Sequence, residues 1–170
     1  REKLPPDGIL AYDVGAHTHQ IASQWRTDHA KTLLATNGWS SMGYGMPAAF
    51  AAKLIFPERR VVTVVGDGGF QMSSNELATV VQEKLDINIA VINNGYLGMV
   101  RQWQELFRGK RYSFTEMQNP DFVKLAEAYS IPAKKVDSRK DLQGAIKEML
   151  EAKTPYFLEV VVGKEDNVFP

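Results

Sequence analysis

The sequence predicts an α/β domain, a doubly wound and mostly parallel sheet of about six strands with helices on both faces. Three observations predict it. The runs Val61-Val62-Thr63-Val64-Val65 and Ile87-Asn88-Ile89-Ala90-Val91-Ile92 are short, β-branched and nearly continuous, as strands covered on both faces are. Residues 73–84 between them read as a helix, so the two runs form a βαβ unit whose strand ends share one edge of one sheet. Strand-like and helix-like stretches then alternate along the whole chain, which is the pattern of a doubly wound fold.

In order, Gly8-Ile9-Leu10-Ala11-Tyr12 reads as a first strand ending at Asp13, and residues 17–25 as a helix. Residues 32–36 form a weaker strand, 37–41 a loop, and 43–55 a small-residue helix whose glycines and alanines imply close packing on the sheet. It stops at Phe56-Pro57, since proline disfavours helix in the residue before it. After the central βαβ unit, residues 97–107 read as helix and the basic stretch Arg108-Gly109-Lys110-Arg111 as a solvated loop. Asn119-Pro120-Asp121 opens a helix to about Tyr129. Residues 132–136 form a short strand, and 138–152 a helix with the buried stripe Leu142, Ile146, Met149 and Leu150. Tyr156 to Val162 is the last strand.

The bulk properties exclude several function classes. A length of 170 residues with 44% hydrophobic content gives one domain with a full core. Lysine plus arginine and aspartate plus glutamate number 20 each, so no strong field favours nucleic acid or a membrane surface. With no cysteine, disulfides, thiolate metal sites and cysteine nucleophiles are excluded. No stretch is long and apolar enough to span a bilayer and no signal peptide opens the chain, so an intracellular place is expected, cytoplasmic or organellar. Arg1 in place of Met reads as a cut or processed start.

The chemistry concentrates at Gly66-Asp67-Gly68-Gly69-Phe70 and Asn93-Asn94, one at the end of each central strand. Ligands of open α/β sheets bind at that edge, so Asp67 and Asn94 can converge on one site. One carboxylate and one amide oxygen are too few for calcium and offer no nitrogen or sulfur for zinc. They suit magnesium, which keeps few protein ligands and takes the rest from phosphate and water. Gly66, Gly68 and Gly69 clear side chains from beside Asp67, so backbone amides can approach a phosphate. Together these residues describe a magnesium–diphosphate cradle. Either half alone is equally at home in an ordinary Gly-rich or Asn-Gly turn; the pair on consecutive strands is not.

The spacing GDG, 24 residues, NN resembles the thiamine diphosphate signature of thiamine-dependent enzymes. The segments around it are similar to acetohydroxyacid synthase (acetolactate synthase) catalytic subunits: Asn93 through Gln104, Asp13-Val14-Gly15, Gly43 through Ala49, and the ending Glu165-Asp166-Asn167-Val168-Phe169-Pro170. The resemblance covers essentially the whole chain, but only the C-terminal, diphosphate-binding third of such an enzyme. It implies the thiamine diphosphate-binding fold, with thiamine diphosphate and Mg2+ as cofactors.

Residue by residue, the resemblance implies more. The family touches the diphosphate with a Gln-His pair after Gly15; this chain has Ala16 in the first place and His17 in the second. Ser40-Ser41-Met42 matches the loop that holds the aminopyrimidine ring, with Met42 wedged between the two rings and Ser40 where many relatives have glycine. A core-filling methionine is the alternative. Magnesium would take Asp67, Asn94 and the backbone carbonyl of Tyr96, and Leu97, Gly98 and Met99 would complete the cofactor site. Met99 and Trp103, four apart on one helix face, match positions lining the channel to the reactive carbon. A buried stripe of Met99, Trp103 and Leu106 or Phe107 is the other reading, with Arg101 and Gln102 solvated or at a subunit contact.

The implied activity condenses pyruvate with a second 2-oxoacid, pyruvate or 2-ketobutyrate, with loss of CO2, in branched-chain amino acid biosynthesis. The resemblance places no catalytic residue in this chain. The activating glutamate belongs to the pyrimidine-binding domain of the same or a neighbouring subunit, and FAD, where members carry it, to a central domain; neither has a counterpart here. The chain alone is expected to be inactive, and the complete protein a homodimer or homotetramer open to a regulatory subunit. The rival readings are a domain or split subunit of another thiamine diphosphate enzyme, such as a pyruvate oxidase, glyoxylate carboligase or 2-oxoacid decarboxylase, and an interaction domain that kept only the fold.

Overall fold

The computed structural model describes residues 1–164, so the ending Glu165 to Pro170 lies outside the described residues. The elements alternate: β1 (Ile9–Tyr12), α1 (Ala16–Gln24), β2 (Leu33–Ala35), α2 (Gly45–Ile55), β3 (Val61–Gly66), α3 (Asp67–Ser73), a 3-10 turn (Ser74–Glu76), α4 (Leu77–Gln82), β4 (Asn88–Asn93), α5 (Gly98–Phe107), α6 (Phe122–Ala128), β5 (Ala133–Val136), α7 (Arg139–Glu151) and β6 (Tyr156–Val161). The strands form one six-stranded sheet in the order β2-β1-β3-β4-β6-β5, with every pairing parallel. The expected α/β architecture is therefore present. The chain moves outward from β1 to β2 and then returns past β1 to β3, so the strand order reverses between β1 and β3. A crevice opens outside the strand tips at such a point.

Alternation along the strands feeds two cores. Ile9, Ala11, Val61, Val65, Ile89 and Val91 face α2, α4 and α6, where they meet Met46, Ala49, Phe50, Leu77, Val80, Phe122 and Ala126. Leu10, Val62, Ala90, Tyr156 and Leu158 face the other way, against Ala145 and Met149 of α7 with Ile21 and Trp25 beside them. The small residues of α2 follow from how close it lies. A Cβ on Gly45 would stand 2.8 Å from Val65 Cγ1 and 3.2 Å from Asp13 Cβ. Asp121 caps α6, its carboxylate accepting the Lys124 backbone N–H at 3.1 Å, with Pro120 just outside the helix.

Two expectations need correction. The Gly-rich segment is not a loop leading to a helix at Ser73; the helix starts at Asp67 itself, directly off β3. Glycine in a helix costs about 1 kcal/mol relative to alanine, which is why Gly68-Gly69 reads as loop. Tertiary contact overrides that propensity: a Cβ on Gly68 would stand 2.9 Å from Leu97 Cδ2, and one on Gly69 would collide with Asp13 Oδ2. The second correction concerns α5. Its buried side chains are Arg101 and Gln102, while Trp103 and Phe107 are 55% and 71% exposed. The guanidinium of Arg101 packs 4.4 Å from the Tyr112 ring centroid and donates to Lys164 O at 3.2 Å, so the polar side of α5 faces inward and its apolar side faces out.

Phe70 locks α3 to the sheet. Its ring is fully buried, 5.3 Å edge-on from Phe122 and 5.2 Å from Phe157. Phe70→Ala should cost about 3–5 kcal/mol in a urea unfolding experiment, through the lost transfer energy and the cavity left at the junction of α3, α6 and β6.

Candidate functional site

The site is built from the tips of β1, β3 and β4. At the tip of β1, Asp13 is completely buried; Oδ1 accepts from Val14 N at 2.7 Å and Oδ2 from Gly43 N at 2.8 Å. Burial raises its pKa, and the backbone N–H groups of Val14, Gly43, Tyr44 and Gly45 restrain the rise. Since α2 has no side-chain cap of its own, this carboxylate serves its first amides from across the fold and anchors the loop that carries Met42. By sequence, Asp13 is assigned only the end of the first strand. The signal was present: like Asp67, it is a carboxylate at a strand end with glycine close behind.

His17 sits in the first turn of α1, its imidazole against Gly15 and Gly66, where added Cβ atoms would stand 2.9 and 3.3 Å away. Thr18 fixes that turn, donating from Oγ1 to Asp13 O at 2.8 Å and accepting Gly15 N at 2.9 Å. Among the described residues, the buried Nε2 of His17 has no hydrogen-bond partner. Burial brings its pKa from 6.5 down to about 4, partly resisted by a hydrogen bond to the Asp13 backbone, so the ring is neutral at pH 7.

At the tip of β3, Asp67 Oδ2 accepts from Gly95 N at 2.9 Å and Asn119 Nδ2 at 2.7 Å. Burial raises this carboxyl's pKa, opposed by the Asn119 side chain and then by backbone N–H groups. At the tip of β4, Asn94 Oδ1 accepts Tyr96 N at 3.0 Å. The turn is strapped by Leu97 N donating to Thr115 O (2.8 Å) and Met117 N donating to Gly95 O (2.9 Å). No described backbone N–H donates to Tyr96 O between them.

These tips enclose a cleft of about 580 Å³, within the range of small-molecule sites. It brings together Gly15, Ala16 and His17 from the β1 tip, Met42, the run Gly66 to Gly69, and Asn94 with Tyr96 to Met99. Ile21, Val64, Ile92 and Val162 make its apolar wall. Gly98 admits the close approach of α5, since a Cβ there would stand 2.7 Å from Asn94 Nδ2 and 3.0 Å from Ala16 Cβ. Ser40, Ser41 and Trp103 lie outside the cleft. Ser40 and Ser41 are exposed, and Ser40 has φ +49°, the left-handed region where glycine is at home. In the sequence Asn119 stands only at a helix start, and no local pattern marks its bond to a carboxylate 52 residues away.

Among the described residues no group of three or more His, Cys, Asp and Glu could hold a metal by itself. A cation here would rest on few protein oxygens and need others from its ligand. A phosphoryl ligand meets those conditions: it brings oxygens, it would meet the backbone of Gly68 and Gly69 where these line the cleft, and its charge would favour a proton on the orphaned Nε2 of His17.

Such a cleft at the strand-order reversal defines a cofactor-binding α/β domain, and the match to known proteins specifies which one. Residues 13–160 match the family described as thiamine pyrophosphate enzyme, C-terminal TPP binding domain, and the chain belongs to that family. It is 43% identical to the mitochondrial acetolactate synthase of Schizosaccharomyces pombe, over 92% of this chain and 24% of that protein. It is 41% identical to the acetolactate synthase large subunit of Lactococcus lactis, over 96% of this chain and 28% of that protein. With the isozyme 2 large subunit of Escherichia coli the identity is 36%, over 99% of this chain and 31% of that protein. The chain thus spans roughly a quarter to a third of the length of the curated relatives it matches. No helix among the described residues is long and apolar enough to cross a membrane.

The depressed pKa of His17 sets a pH dependence. The native state binds this proton more weakly than the unfolded chain, so the stability difference is fully present above about pH 6.5, falls as the pH drops toward 4, and levels off below. The span is on the order of 3 kcal/mol. Urea titrations of the parent and His17→Gln between pH 7 and 4 should differ by that slope, and imidazole NMR should show a neutral ring at pH 5.

Proposed function

We propose that this chain is the thiamine diphosphate- and Mg2+-holding domain of an acetolactate synthase. The complete protein then condenses pyruvate with a second 2-oxoacid, pyruvate or 2-ketobutyrate, with loss of CO2, in branched-chain amino acid biosynthesis. One observation carries the reading: the β3 and β4 tips bring Asp67 against the turn that bears Asn94, in the cleft where His17 Nε2 has no described partner. The acetolactate synthase relatives support it over a pyruvate oxidase, a glyoxylate carboligase or a 2-oxoacid decarboxylase.

In this reading Asp67, Asn94 and the Tyr96 carbonyl hold Mg2+, and Gly68 and Gly69 offer backbone to the diphosphate. The negative charge of a bound diphosphate would favour protonation of His17, and Nε2 of the protonated ring would then donate to it, where the family's Gln-His pair has lost its glutamine to Ala16. Met42, whose Cε lies 3.2 Å from a Cβ built on Gly68, supports the bend between the cofactor rings, and the apolar wall excludes water. The bound cofactor supplies the electron sink that decarboxylation of a 2-oxoacid needs. Met99 lines the approach to it, and Trp103 joins that channel where further polypeptide closes over α5. The exposed rings of Trp39, Trp103, Phe107 and Phe114 suit burial by the pyrimidine-binding domain of the same or a neighbouring subunit, in a homodimer or homotetramer. That domain brings the activating glutamate, so this chain alone is inactive. We place the protein in the cytoplasm or an organelle; the fission-yeast relative is named mitochondrial.

The complete protein, supplied with Mg2+ and thiamine diphosphate, should form acetolactate from pyruvate, and residues 1–170 alone should form none. Asp67→Ala in the complete protein should weaken cofactor retention at least about 100-fold in calorimetry, because the diphosphate loses its cation bridge. Unchanged retention would sink the assignment.

A further inference from the structure

Beside the cleft, four polar groups form a closed square. Gly95 N donates to Asp67 Oδ2 at 2.9 Å and to Asn93 Oδ1 at 3.1 Å. Asn119 Nδ2 donates to the same two oxygens at 2.7 and 2.9 Å. Two acceptors that would repel each other are thus held side by side by two donors, each shared between them. Remove Asn119, and a single N–H must serve both oxygens.

The direction of every bond is forced from the ends. Glu159 is a buried carboxylate with Lys135 Nζ at 3.3 Å, and as an acceptor it takes Asn93 Nδ2 at 2.7 Å. Asn93 can then present only its oxygen to Asn119. On the other side Asp67, also an acceptor, requires a donor. Asn119 therefore has to turn its NH2 to both, and its own oxygen accepts Gln71 Nε2 at 2.8 Å. An amide whose hydrogens and oxygen are all assigned by its neighbours has one orientation. It fixes the carboxylate in turn, since Asp67 cannot rotate without breaking both bonds to Oδ2.

We propose that Asn119 is the positioning residue of the cation site, holding the Asp67 carboxylate in its coordinating orientation before any cation arrives. The proposal rests on the reading of Asp67 as a cation ligand. Asn119 itself touches neither cation nor cofactor. Its contribution is preorganisation, which groups behind a metal ligand supply at about 10–100-fold in affinity.

The test uses the complete protein with Mn2+ as the probe, its free concentration read by electron paramagnetic resonance in the presence of thiamine diphosphate. Asn119→Leu keeps the volume and removes the donors. It should raise the Kd for Mn2+ about 10–100-fold, with most of kcat returning at saturating cation. A merely structural role would lower Tm and leave that Kd unchanged, which overturns the proposal. Gln71→Ala, at an exposed position, should shift Kd the same way by a smaller factor. If Asn119→Leu does not fold, an unchanged Kd in Gln71→Ala overturns the proposal. Asp67→Ala separates the two levels of inference. If it keeps Mn2+ affinity, the cation site itself falls and this role with it; if it loses affinity while Asn119→Leu keeps it, only the positioning role falls.

Discussion

Five register pairs, from Val62 beside Asn88 to Gly66 beside Ile92, lay β3 and β4 in parallel and end them level. That pairing is the constraint on which the site depends. It puts Asp67 next to the 93–95 turn, so the Gly95 N–H closes on its carboxylate although 28 residues of chain separate them. An antiparallel pairing would send the two tips to opposite edges, and a one-residue slip would turn every core side chain of one strand toward the wrong helix layer. The parallel arrangement is held by burial on both faces, because each strand contributes to both apolar clusters.

Two carboxylates withdrawn from water, Asp13 and Asp67, flank the place where strand order reverses. Each is costly to bury, and each is met mainly by N–H donors rather than by a cation. Their tasks differ. Asp13 gives one oxygen to Val14 N in its own turn and the other to the backbone ahead of α2, and so belongs to the scaffold. Asp67 is held through Oδ2 by Gly95 and Asn119 and lines the cleft.

Strands are the most legible part of this sequence, because β-branched runs such as 61–65 mean the same thing in any context. The meeting of Asp67, Asn94 and the glycines in one cleft is legible because parallel strands place their ends on one edge of the sheet. Other features depend on distant partners. The helix at Asp67 is hidden by Gly68 and Gly69, whose propensity says loop while the closeness of Leu97 and Asp13 decides otherwise. The inward turn of Arg101 and Gln102 is hidden because an apolar stripe ordinarily faces its own core, and here it faces out. Asn119 looks like a turn residue until the fold carries it to β3. Ser40 and Ser41 carry the family's loop pattern, yet they stand away from the cleft as this chain forms it.

The exposed rings on α5 and beyond it affect how copies of this chain behave in water. Phe114 and Trp39 stand 100% and 96% exposed, and Trp103 and Phe107 add two more rings to the wet surface. Positive and negative side chains balance at 20 each, so no net repulsion keeps two copies apart near neutrality. Concentrated at neutral pH without other polypeptide to cover those rings, copies will adhere to one another through them.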